Sequence, residues 1–136
     1  MNDLTDNGKE NEELSLDELF EEWLDSALCQ NIPDDVIAFN FNLYEDTGSK
    51  WSIEIVGTSS FDESDEDWAC DEVTDFNTRG NPLQWQEDTS WEDVLSKAED
   101  MLIKYLETGK NAYKLKHAEA VACGFVDGSL EIVYKR

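Results

Sequence analysis

Nucleophilic catalysis asks for a serine or cysteine beside an activating base, and that base is most often histidine. The chain carries one, His117, in the basic stretch Lys114-Leu115-Lys116-His117 with no motif around it. That setting reads as a surface or half-buried histidine rather than a catalytic one. Cys29, Cys70 and Cys123 can be counted with His117 as a Cys3His zinc set, but no two cysteines stand in the C-x-x-C spacing that clips zinc. An odd number of widely spaced cysteines also argues against a disulfide framework, so reduced, metal-free thiols acting as small apolar groups are expected. The run Asp62-Glu63-Ser64-Asp65-Glu66-Asp67 suggests calcium, yet an EF-hand loop needs glycine at its sixth position. Windows opening at Asp62 and Asp65 put Asp67 and Cys70 there. There is no P-loop and no G-x-G-x-x-G. No cofactor and no enzymatic activity are expected.

The remaining chemistry is charge. Thirty-three Asp and Glu against ten Lys and Arg leave a formal charge of −23 over 136 residues. Residues 1–100 hold 29 acids and four bases, for −25, and residues 101–136 hold four acids and six bases, for +2. Such a field repels phosphates, which excludes direct nucleic-acid binding, and it steers cationic partners toward the surface. A halophile's need for surface solvation would account for the same bias without a partner. The acids are densest in 61–76, FDESDEDWACDEVTDF, with eight carboxylates and no base. Asp62, Glu63, Asp65, Glu66, Asp67, Asp71, Glu72 and Asp75, with Trp68 among them, form the candidate partner-binding surface: carboxylates to steer a basic protein and an aromatic to anchor it.

The elements that must position this segment are legible from periodicity. Ser15 and Glu18 fit a capping box with Leu14 and Leu19 as its hydrophobic staple, and Leu16, Leu19, Phe20, Trp23, Leu24, Ala27 and Leu28 then recur at helical spacing over 15–30. A second helix over 90–108 is expected from Thr89 and Glu92 as capping box, an apolar stripe from Trp91 to Leu106, and Gly109 at its end. Alternation predicts strands at 36–44 and 51–58 joined by Glu45-Asp46-Thr47-Gly48-Ser49. Ile37, Phe39, Phe41 and Leu43 point inward. Asn40, Asn42, Ser52, Glu54 and Glu131 point to a polar, partly solvated face. A third strand is expected near 68–74, loop over 77–90, and a closing hairpin of 119–126 and 129–135 about a type I′ turn at Asp127-Gly128. That hairpin pairs Phe125 with Leu130, Cys123 with Ile132 and Val121 with Tyr134 on one face.

The predicted fold is α+β: an antiparallel sheet of about five strands with two amphipathic helices packed on one face. Residues 1–13 read as a disordered acidic tail and 14–136 as a single domain, with no secretory signal and no membrane span.

AFNFNLYEDTGSKWSIEIVG, FDESDEDWACDEV and GFVDGSLEIVYKR together resemble small acidic bacterial immunity proteins of polymorphic or contact-delivered toxin systems, over roughly 36–136. The resemblance implies a cytoplasmic inhibitor that binds a cognate toxin, often a basic nuclease, and carries over no functional residue. The expected function is a non-enzymatic acidic binding protein that neutralises a basic toxin by occlusion. A nucleic-acid mimic capturing DNA- or RNA-binding proteins is one alternative, and a small carboxylate- or metal-dependent enzyme is another. A mimic should compete at many cationic grooves, whereas an enzyme should show a pocket of converging, strongly shifted carboxylates.

Overall fold

A computed structural model describes residues 15–136; the expected tail over 1–13 and the staple residue Leu14 lie outside them. Helix α1 spans Leu16–Leu28 and opens on the expected capping box, with Ser15 Oγ accepting from Glu18 N–H and the Glu18 carboxylate accepting from Ser15 N–H. Strands β1, Ala38–Asp46, and β2, Lys50–Thr58, form an antiparallel hairpin with Asp46 opposite Lys50. Gly48 and Ser49 turn the chain with φ of +74° and +60°. A 3-10 helix at Glu66–Cys70 precedes β3, Glu72–Asn77, so the third strand starts later than its sequence suggests. Strand β4, Leu83–Gln86, occupies part of the predicted loop and sets Trp85 opposite Trp51.

Helix α2, Trp91–Thr108, is capped by Ser90, whose Oγ accepts from Asp93 N–H, one residue later than the Thr89/Glu92 expectation. Thr89 instead donates its hydroxyl to the Asp93 carboxylate. A short third helix, α3, Ala112–Lys116, leads into β5, Ala120–Phe125, and β6, Glu131–Lys135.

Among the described residues the sheet has six strands and is mixed, where an antiparallel sheet of about five was expected. Its order is β3-β2-β1-β5-β6, and β4 shares with β3 the outer edge of β2. Strand β1 runs parallel to β5, with Phe41 opposite Cys123. Phe39, Phe41, Leu43, Trp51, Ile53, Ile55, Val121 and Cys123 pack under Phe20, Leu24, Leu28, Val94, Ala98, Leu102 and Leu115 as one apolar core.

The closing hairpin departs from its expected register. Val121 faces Tyr134, but a bulge then sets Ala122 opposite Ile132 and Cys123 opposite Glu131. Leu130 thereby joins the cluster on the opposite face of the sheet from the helices, and Ile132 is left exposed. Gly128 N–H closes the turn on the Phe125 carbonyl at 2.9 Å, and Gly128 does not adopt the positive φ that a type I′ turn requires. The constrained glycine is Gly124, where a Cβ would lie 2.5 Å from the Ser129 carbonyl oxygen; at Gly128 the nearest atom is 3.7 Å away. Gly124→Ala should therefore destabilise the fold by about 2 kcal/mol, while Gly128→Val stays within about 0.5 kcal/mol. Urea denaturation midpoints of the two variants check this.

Candidate protein-binding surface

The first part of the acidic segment, up to Asp71, is a closed loop against the sheet face that the helices leave uncovered, and Glu72 and Asp75 follow on β3. The ends of the loop meet: Ser59 N–H donates to the Asp71 carbonyl at 2.8 Å, and Ser60 Oγ donates to the Asp71 carboxylate at 2.7 Å. Loops of this kind hold their shape by packing their own side chains. Here the packing residue is Trp68. Its indole is 4% exposed and sits with Phe61, Ala69 and Leu130 on Ala38, Ala120 and Ala122. Phe61 meets it edge-on with ring centroids 5.2 Å apart. The register explains the fit, since Ala38 lies beside Ala120 and, two residues further on and so on the same face, Asn40 lies beside Ala122. Small side chains on neighbouring strands leave a hollow that an indole fills.

This placement makes Trp68 part of the fold, buried in the free chain. The eight carboxylates, by contrast, are all exposed. Asp65 caps the 3-10 helix by accepting from Asp67 N–H, and Asp62 accepts from the Ser64 amide and hydroxyl, which holds its carboxyl below the usual range. Glu66 accepts from Leu130 N–H. Two carboxylates are paired with bases, Glu63 with Lys135 at 2.7 Å and Glu72 with Arg79 at 2.5 Å. Asp62, Asp65, Glu66, Asp67, Asp71 and Asp75 have no ion pair among the described residues.

Beside the loop, the polar face of the β1–β2 hairpin is buried, contrary to the expectation of partial solvation. Asn40, Asn42, Ser52 and Glu54 are all 9% exposed or less. Alternation separates a polar face from an apolar one, but it does not report what later covers the polar side. Glu54 organises this face. Its Oε2 accepts from Asn42 Nδ2 at 2.9 Å and Tyr44 Oη at 2.7 Å, while Arg79 Nε stands 3.4 Å from Oε1. Because a carboxylate only accepts, Asn42 must turn its amide nitrogen to Glu54 and its oxygen to Asn40 Nδ2, 2.9 Å away. That polarity leaves Asn40 Oδ1 buried with no protein donor. Burial, then the hydrogen bond and charge of Glu54, push Tyr44 up to about 12. Arg79 is raised by its hydrogen bond to Glu72 and ties the buried carboxylate to the acidic surface.

Arg79 and Glu54 were not legible as a pair. The available signal was that Arg79 is the one base between Lys50 and Lys97. The thiols and the imidazole do not converge: Cys29, Cys70 and His117 are exposed, whereas Cys123 is buried in the core, its thiol pushed up to about 12 by burial. Among the described residues no group of three or more His, Cys, Asp or Glu side chains is placed to hold a metal ion. No helix among them is long and apolar enough to cross a membrane. Comparison with family models, curated proteins and solved structures gave no match.

Proposed function

We propose that this chain is a non-enzymatic acidic binding protein that captures a basic protein partner, and in concrete terms an immunity protein that neutralises a basic toxin domain by occluding it in the cytoplasm. One observation carries the reading: the loop backbone is fixed by a buried indole and tied at both ends, while its six carboxylates and the two that follow on β3, Glu72 and Asp75, are all exposed. A disordered acidic run would lose conformational entropy on meeting a partner, and a pre-shaped one loses less. Six carboxylates without an ion pair also supply an attraction that works before contact.

The test looks beside the gene for this chain for a reading frame encoding a basic toxin-like domain and uses its product; absence of such a frame counts against the immunity reading. Co-expression should restore growth to cells making that domain, and failure to protect would remove the immunity reading. With the two purified proteins, Asp65→Asn/Glu66→Gln/Asp67→Asn should slow association about fivefold at low salt and flatten its salt dependence, because steering is screened beyond about 8 Å at 0.15 M salt. Asn at 65 can still cap and Gln at 66 can still accept from Leu130, so folding should be preserved. Wild-type association by this variant at low ionic strength would move the interface off the loop.

A further inference from the structure

With Trp68 buried, the acidic loop has no exposed large aromatic of its own, but the fold provides one nearby. Trp91, the first residue of α2, is 50% exposed and meets Phe125 edge-on at 6.0 Å. Phe125 in turn meets the buried Trp51 at 6.1 Å. The three rings run from core to surface, so the outermost one is braced from below. Trp91 and Phe125 line a groove of about 440 Å³ at the C-terminal ends of the parallel strands β1 and β5. Its other walls include the half-buried Tyr44 and the exposed Val126, Glu45 and Asp127. No base lines it. The turn after β5 supplies Val126, Asp127 and Gly128 to the groove, and two residues beyond Gly128 Leu130 donates its amide to Glu66 of the acidic loop.

We infer that this groove receives an arginine side chain of the basic protein partner, stacked on Trp91 and paired with Glu45 or Asp127. Three features of the occupant follow from the walls. A cation is required by two carboxylates without a counter-charge. A planar, weakly hydrated cation with an apolar stem fits an indole face beside Val126 and Phe125 better than a compact ammonium does. A fork of N–H donors can reach a carboxylate while stacked. The inference deepens the proposed function and rests on it: the loop attracts the partner, and the groove selects the residue that anchors it.

The test measures binding of two probe peptides of equal charge, hexa-arginine and hexa-lysine, to the full chain at fixed ionic strength. Trp91→Leu should weaken hexa-arginine about fivefold and hexa-lysine less than twofold. Glu45→Gln/Asp127→Asn should likewise reduce the preference for arginine, and it keeps the test valid if the leucine variant proves unstable. The Asp65→Asn/Glu66→Gln/Asp67→Asn variant should weaken both peptides alike, preserving their ratio. An arginine-to-lysine ratio unchanged in the groove variants overturns the groove while leaving the loop reading intact. Groove effects on the peptides, combined with no protection against the neighbouring toxin-like domain, would instead overturn the choice of partner.

Discussion

Trp68→Ala should destabilise the protein by about 3 kcal/mol, the lower end of the range for removing a buried large aromatic. The lower end applies because the hollow beneath the indole is shallow. Its floor is three alanines, and on the outer side the indole is backed by Phe61, Ala69 and Leu130 instead of a second layer of helices. For a chain of this length that loss corresponds to a fall of about 10 °C in Tm. The loop should loosen as well. With the indole gone, the Ser59, Ser60 and Asp71 contacts, the Glu66–Leu130 bond and the exposed Glu63–Lys135 ion pair are left to hold it to the sheet, and exchange of the 66–70 amides should accelerate more than that of the β1 amides. An unchanged urea midpoint would mean that Trp68 is not seated as described. Because stability falls in the free protein, any weakening of partner binding by this variant has to be read against the fraction folded.

The same residue shows how far the sequence could be read. Helices α1 and α2 and the β1–β2 hairpin are specified locally, by caps and by apolar periods of 3.6 and 2, and those signals do not depend on the rest of the chain. The acidic segment is equally visible as composition. What that composition does not contain is which surface its two aromatics meet. A clue was present in Ala38, Ala120 and Ala122, small residues on strand faces that otherwise alternate with large apolar ones, but it acquires meaning only once β1 and β5 are neighbours. Their parallel pairing joins residues about eighty positions apart, and no local pattern announces it. Strand β4 was hidden for a related reason. Leu83–Gln86 is four residues long, follows Pro82, and is ordered by the edge of β2 that β3 leaves open. The closing hairpin marks the opposite limit, where a strong Asp-Gly signal was overridden. Leu130 seats against Trp68 and Ser129 lies close over Gly124, and the bulge at Val121/Ala122 moves the register by one residue from the one a two-residue Asp-Gly turn would set.

Glu54→Ala should cost about 3 kcal/mol, comparable to losing Trp68 although a far smaller side chain is removed. The reason is directional. Glu54 is 3% exposed and is the shared acceptor for Asn42 and Tyr44, so its removal takes the acceptor from a buried amide and a half-buried hydroxyl. It also detaches Arg79, which keeps only Glu72. Glu54→Gln should cost less, about 1.5 kcal/mol, because one acceptor oxygen survives while an amide group is turned toward the Arg79 guanidinium. The glutamine variant also has a pH signature. Tyr44 in the folded protein is raised from an ordinary value near 10 to about 12, so the folded state holds this proton more tightly than the unfolded state does. The stability it contributes is intact below about pH 10 and is lost as pH rises through 12. Burial, the largest cause, remains in Glu54→Gln, whereas the hydrogen bond to a carboxylate and its charge do not. Wild type should therefore lose stability more steeply than the variant between about pH 10 and 12. Tyr105, raised by burial and by its bond to Asp25, contributes the same slope to both proteins and cancels in the difference. Urea midpoints at pH 8, 10 and 11, with tyrosinate absorbance followed in parallel, measure both effects. Parallel stability curves for the two proteins across that range would mean that Tyr44 does not share its proton with Glu54, and the polar ladder from Tyr44 to Asn40 would lose its organising carboxylate.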